Sequence, residues 1–160
     1  MTVLQSGNVT QNHLATWVTD GVIADAGVTF VNTYGMFSYT KQSINFNASN
    51  SDNPLLINLP AGYTRYRIHQ ILISNASQTL STATCGVFTQ AAAAGVAIVT
   101  SGSSITVTQS AEDTVNNMQA LTINNQNTMS LIDTTLYFRV QTAQGAPATG
   151  TVTIFYQPLP

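Results

Sequence analysis

The chain has 160 residues, enough to bury a core without covalent staples, and Cys85 is its only cysteine, so no intrachain disulfide can form. Four cations and six acids stand where an ordinary domain of this length would carry about 40 charged residues, and this excludes nucleic acid as a partner, because neutralising phosphates takes many more Lys and Arg. In their place are 24 Thr, 14 Asn, 13 Ser and 12 Gln, a surface that is soluble but weakly self-repelling and therefore suited to packing against neighbours.

The first element is "QNHLATWVTDGVIADAG", Gln11 to Gly27, which reads as a β-hairpin turned at Asp20-Gly21. Two strands alone are marginal in water. Residues 1–27 are therefore expected to form an N-terminal extended arm with a short hairpin, and residues 28–160 an antiparallel β-sandwich. The arm's Trp17, Val18, Val22 and Ile23 form an apolar set, to be satisfied either by another protein or by the chain's own sandwich.

From Val28 onward, short β-type runs are separated by turn residues, with no helical stripe of normal length between them. The runs are "SINFNA", "PLLINL", "TRYRIHQILIS", "TATCGVFTQ", "GVAIVT", "SSITVTQ", "MQALTI", "TTLYFRVQT" and "TGTVTIFYQ". "NSDNP", "PAGY", "SNASQ", "NNQNT" and "AQGAPATG" are the breakers between them. In the run from Thr64 to Ser74 the apolar residues change face near Gln70, which predicts a bulge or a strand that leaves one sheet for another. Leu136, Phe138 and Val140 share one face of the penultimate run, and Val152, Ile154 and Tyr156 share one face of the last. These two runs read as a closing hairpin with a flexible loop of eight residues.

Regular strands without helical connectors give an all-β antiparallel sandwich. The Cys and Trp spacing of an immunoglobulin domain is absent, which favours a jelly-roll-like order. Uncharged runs such as "GVAIVT" and "GTVTIFYQ" pair edge to edge when left open. Self-association with closed symmetry covers them, and a homo-trimer is expected ahead of a dimer.

Chemistry is sparse. His13 and His69 have no neighbouring acid in sequence with which to build a nucleophilic triad. Glu112 and Asp113 sit side by side in "SAEDTVNN", without the separation that glycoside hydrolysis needs. Asp52 stands among neutral amides, no zinc spacing or phosphate loop occurs, and Cys85 reads as a small buried residue. No enzyme activity, metal or cofactor is therefore expected. The constellation that stands out is Arg65, Arg67 and His69 at i, i+2, i+4 with Tyr63 in line, a cationic and aromatic ladder for contact between subunits or for a ligand carboxylate. No membrane contact is expected, since the longest apolar run, Ala91 to Val99, is less than half a span. The first residues lack the basic and apolar regions of a signal peptide.

Two stretches carry a resemblance. "SGNVTQNHLATWVTDGVIADAG" resembles a segment recurrent in structural proteins of tailed bacteriophages. "INLPAGYTRYRIHQILISNAS", "TATCGVFTQAAAAGVAIVT" and "TLYFRVQTAQGAPATGTVTIFY" resemble the β-sandwich that follows it in such proteins. The resemblance implies a jelly-roll-like body of the sort used in capsid decoration (cement) proteins, head fibres and tail-fibre tips. It implies a place on the exterior of the virion after synthesis in the host cytoplasm, with the major capsid protein or another virion protein as partner. The alternative it leaves open is a tail or fibre-tip module that recognises a host surface glycan or protein.

Overall fold

The computed structural model describes strand backbone at residues 4–5, 13–19 and 22–29, and then residues 35–108, 118–125 and 130–159. The chain divides into two compact units, Met1–Gly35 and Met36–Pro160. In the first, β1 (Leu4–Gln5), β2 (His13–Thr19) and β3 (Val22–Thr29) form a three-stranded sheet in the order β1-β3-β2. β2 and β3 are antiparallel, with Trp17 opposite Ile23 and Thr19 opposite Val22, and β1 runs parallel to β3. The expected hairpin is thus paired, with a third strand added. β3 also continues past Gly27, where the sequence pattern closes the arm: β-branched Val28 and Thr29 extend the pairing until Thr29 meets His13. The turn residues Asp20 and Gly21, the side chains of this unit, and Glu112 and Asp113 lie outside the described residues.

The second unit is built from β4 (Phe37–Asn45), β5 (Ser51–Leu56), β6 (Arg65–Ser74), β7 (Thr84–Phe88), β8 (Ala97–Ser104), β9 (Met118–Ala120), β10 (Thr135–Thr142) and β11 (Thr149–Leu159). Four antiparallel pairs are nested: β4 with β11, β5 with β10, β6 with β9, and β7 with β8. Two further pairings, β11 with β6 and β10 with β7, join them into four-stranded sheets ordered β4-β11-β6-β9 and β5-β10-β7-β8. Nested outer-to-inner pairing of this kind is the jelly-roll order, a long hairpin rolled into a sandwich.

The alternation read from the sequence sets the core. Leu136, Phe138, Val140, Val152, Ile154 and Tyr156 all point inward and are buried. Tyr66 and Tyr156 meet edge-on with ring centroids 5.8 Å apart. Each phenol is satisfied at a connection: Tyr66 donates to the Asp133 carbonyl at 2.6 Å, and Tyr156 donates to the Asn58 carbonyl at 2.9 Å while accepting from its N–H. The two tyrosines therefore pin the β5–β6 and β9–β10 links to the core.

In β6 the buried residues are Tyr66 and Ile68, then Ile71 and Ile73. Its register with β11 steps from Gln70 opposite Phe155 to Ile68 opposite Tyr156, so His69 is the extra residue. This is the predicted bulge, and the strand stays in one sheet.

Other expectations need correction. β10 and β11 are not a hairpin: each is already flanked on both sides, and they lie in different sheets. Their link is tied down by its amides. The Gln144 side-chain oxygen accepts N–H bonds from Ser81, Thr82 and Ala83, and Gly145 donates to the Asn47 side chain. From Ser51 on, "NSDNP" is strand, not turn, because β5 is an edge strand and Pro54 there needs no outer hydrogen bond. β4 begins six residues before "SINFNA"; its pairing with β11 is interrupted between Lys41 and Ile44, where Ser43 takes a φ of 55°, and that break hides its alternation. "GVAIVT" and the start of "SSITVTQ" merge into β8 through Gly102, whose φ is 80°.

Candidate functional site

β6 starts after a tight turn at Pro60–Tyr63, closed by the Tyr63 N–H donating to the Pro60 carbonyl at 3.1 Å. Gly62 supplies the positive φ of 90° that such a turn requires at its third position. Tyr63 therefore belongs to the turn, half-buried, and not to the strand carrying the other three ladder residues. Beyond it Arg65, Arg67 and His69 lie on the side opposite buried Tyr66 and Ile68, on the outer face of the β4-β11-β6-β9 sheet.

Arg65 stands across from Leu159 and Arg67 across from Gln157 in β11. His69 Nε2 meets the Gln157 side-chain oxygen at 3.0 Å. The bulge sends both His69 and Gln70 outward, where they border a shallow depression with Leu121 and Ile123. Among the described residues the rest of the face is uncharged. Thr40 and Thr153 share a hydrogen bond at 3.0 Å, Phe155 and Leu72 are half-buried, and Met118 is exposed.

Among the described residues, neither Arg65 nor Arg67 has an acidic partner. An ion pair among the described residues lies on the other sheet, where Arg139 meets Asp52 at 2.8 Å. Arg67 Nε is enclosed by protein with no acceptor among the described residues. A guanidinium stays charged in proteins, so an enclosed, unmatched N–H costs free energy.

The Arg139–Asp52 pair was not legible in the sequence. The two residues are 87 apart, and only the antiparallel register of β5 with β10 sets them opposite each other. Asp52 also accepts from the Ala92 N–H at 2.8 Å, and Arg139 donates to the Asn50 side chain at 3.1 Å. Its donors and acceptors are matched within the fold, so it is a structural pin that holds the β7–β8 link over the sheet.

Cys85 is buried, and burial pushes its thiol up to about 12. The nucleophilic thiolate is therefore scarce at neutral pH. We expect labelling of the native protein by an aromatic disulfide reagent to be at least about 100-fold slower than in 6 M guanidinium. Equal rates would show that β7 opens readily. No group of three His, Cys, Asp or Glu residues comes together among the described residues. Trp17, Val18, Val22 and Ile23 fall on the paired strands β2 and β3, their side chains outside the described residues. No protein-family model, curated protein or solved structure matches the chain.

Proposed function

We propose that the chain is a non-enzymatic structural component of a tailed-phage particle, a capsid decoration or cement protein that binds the exterior of the head and stabilises it. The observation that carries this reading is an eight-stranded jelly roll, poor in charge on its outer face, preceded by a separate small β-unit. A body of this kind packs against neighbours at little desolvation cost, and a separate unit supplies an anchor. The resemblance of its phrases to those of phage structural proteins is what supports the location. In this reading Met1–Gly35 docks on the major capsid protein or another head protein, Trp17, Val18, Val22 and Ile23 supply the apolar contact, and the jelly rolls associate as homo-trimers.

Cryo-electron microscopy of the particle tests this. The reading expects repeated copies of the jelly roll on the outside of the head. One observation favours a second reading: Arg65 and Arg67 face outward without acidic partners among the described residues, as a binder of acidic host glycans would need. Copies confined to the tail tip would select that reading, and particles lacking the chain would overturn both.

A further inference from the structure

Where β6 finishes, at the end of the strand away from Arg65, a cleft of about 450 Å³ is lined by Asn45, Asn47, Ser77, Pro147, Ala148 and Thr149. That volume lies within the range of small-molecule sites. None of the six residues is charged, and all but Ala148 are exposed.

Their hydrogen-bonding atoms are unevenly used. The Asn45 side chain accepts from the Asn47 N–H at 2.9 Å, the Asn47 side chain accepts from the Gly145 N–H at 3.0 Å, and the Ser77 hydroxyl accepts from the Thr149 N–H at 2.9 Å. A backbone N–H can only donate, so both amides are engaged through Oδ1, which fixes their orientation. The Ala148 and Thr149 carbonyls are taken as well, by the Phe46 and Ser77 N–H groups, each at 2.8 Å. Among the described residues, the lining therefore has donors to spare: the NH2 groups of Asn45 and Asn47 and the hydroxyls of Ser77 and Thr149. Pro147 adds a small apolar surface beside them.

This inventory selects a ligand. With the amide oxygens already engaged, a cationic group finds few acceptors. A carboxylate or phosphate would lose its hydration with no cation in the lining to offset the cost. A neutral group fits, one whose acceptor oxygen stands next to a small apolar substituent. The acetamido group of an N-acetylated amino sugar has that combination, its carbonyl matching the asparagine donors and its methyl the Pro147 ring. We propose that this cleft binds an N-acetylhexosamine unit of a surface glycan.

A second depression, of about 220 Å³, shares Thr149 with the first and is bordered by Gln42, Asn75 and Gly150. It opens where the β4–β11 register slips and Ser43 takes its left-handed conformation. Its border is again uncharged, and it provides a place for the next sugar of the same glycan. Both depressions lie within the second unit, so the inference goes beyond the cement reading and requires neither a second copy nor a particle.

Titration of the full chain with N,N′-diacetylchitobiose, followed by proton–nitrogen correlation spectra, tests the proposal. The side-chain NH2 signals of Asn45 and Asn47 should shift saturably. Cellobiose, which carries hydroxyls in place of the acetamido groups, should bind about tenfold or more weakly, because the asparagine donors then lack their acceptor. Asn47→Asp keeps the oxygen that holds Gly145 and replaces the donor end with an acceptor. Binding should fall by about tenfold or more while the melting temperature holds. Asn45→Asp should behave alike. Should an aspartate variant melt early, Thr149→Val removes a hydroxyl at nearly constant shape and should weaken binding in a folded protein. The absence of a saturable shift overturns the proposal, as does an equal response to cellobiose or full binding by both aspartate variants. Shifts confined to Arg65, Arg67 and His69 would overturn it by placing glycan recognition at the other end of β6.

Discussion

Replacing Phe138 with alanine should cost about 3–5 kcal/mol of folding stability, the largest effect expected of any single substitution considered. The ring is fully buried in β10 and meets Phe46 edge-to-face, centroids 6.0 Å apart at 83°. Phe46 follows β4 of the opposite sheet, so the pair is a contact between the two layers. Collapse into the vacated space is restricted at both ends. β10 is flanked by β5 and β7, and the Phe46 backbone is fixed by its N–H donating to Ala148 and its carbonyl accepting from Gln144. A cavity that cannot close costs the most. Urea unfolding followed by circular dichroism measures the change; a loss below about 1 kcal/mol would mean that the sheets do not meet through these rings.

Gly150→Val should cost about 1–3 kcal/mol, from overpacking rather than from a cavity. Gly150 is buried in β11 opposite Ile44, and a β-carbon there would stand 2.8 Å from the edge of the Phe46 ring and 3.3 Å from the Ser74 carbonyl oxygen. The ring is held by its contact with Phe138, and the carbonyl belongs to the neighbouring strand, so neither gives way cheaply. The missing side chain is what lets Phe46 reach the core at the end where β4 meets β11. Thermal melting should fall by several degrees. An unchanged melting temperature would place the Phe46 ring elsewhere.

These two positions show what the sequence could reveal and what it could not. The strands with clean alternation, such as Leu136 to Val140 and Val152 to Tyr156, were legible because one buried face imposes a period of two on the residues themselves. The face change at Gln70 was legible for the same reason. β4 was hidden by its own irregularity around Ser43, and β5 by a Pro that only an edge strand tolerates. The separation of β10 and β11 into different sheets is a property of the whole roll, which no local pattern encodes. At the candidate site, the shared outward face of Arg65, Arg67 and His69 was legible from spacing. The placing of Tyr63 in a turn and the enclosure of Arg67 Nε emerged only with the packing. The Arg139–Asp52 pair emerged only with the register.

The central claim is that the jelly roll is a self-sufficient body and that the N-terminal unit fastens it to a particle. The most direct test is a chain lacking Met1–Gly35, measured for thermal unfolding and for rebinding to phage particles stripped of the native protein. The account predicts a cooperative melt with little change in midpoint, because among the described residues the buried core of the sandwich lies in the second unit, together with loss of rebinding. Full occupancy of the particles by the truncated chain would contradict the account by placing the docking surface on the sandwich, and failure of the truncated chain to fold would contradict it by making the first unit part of the core.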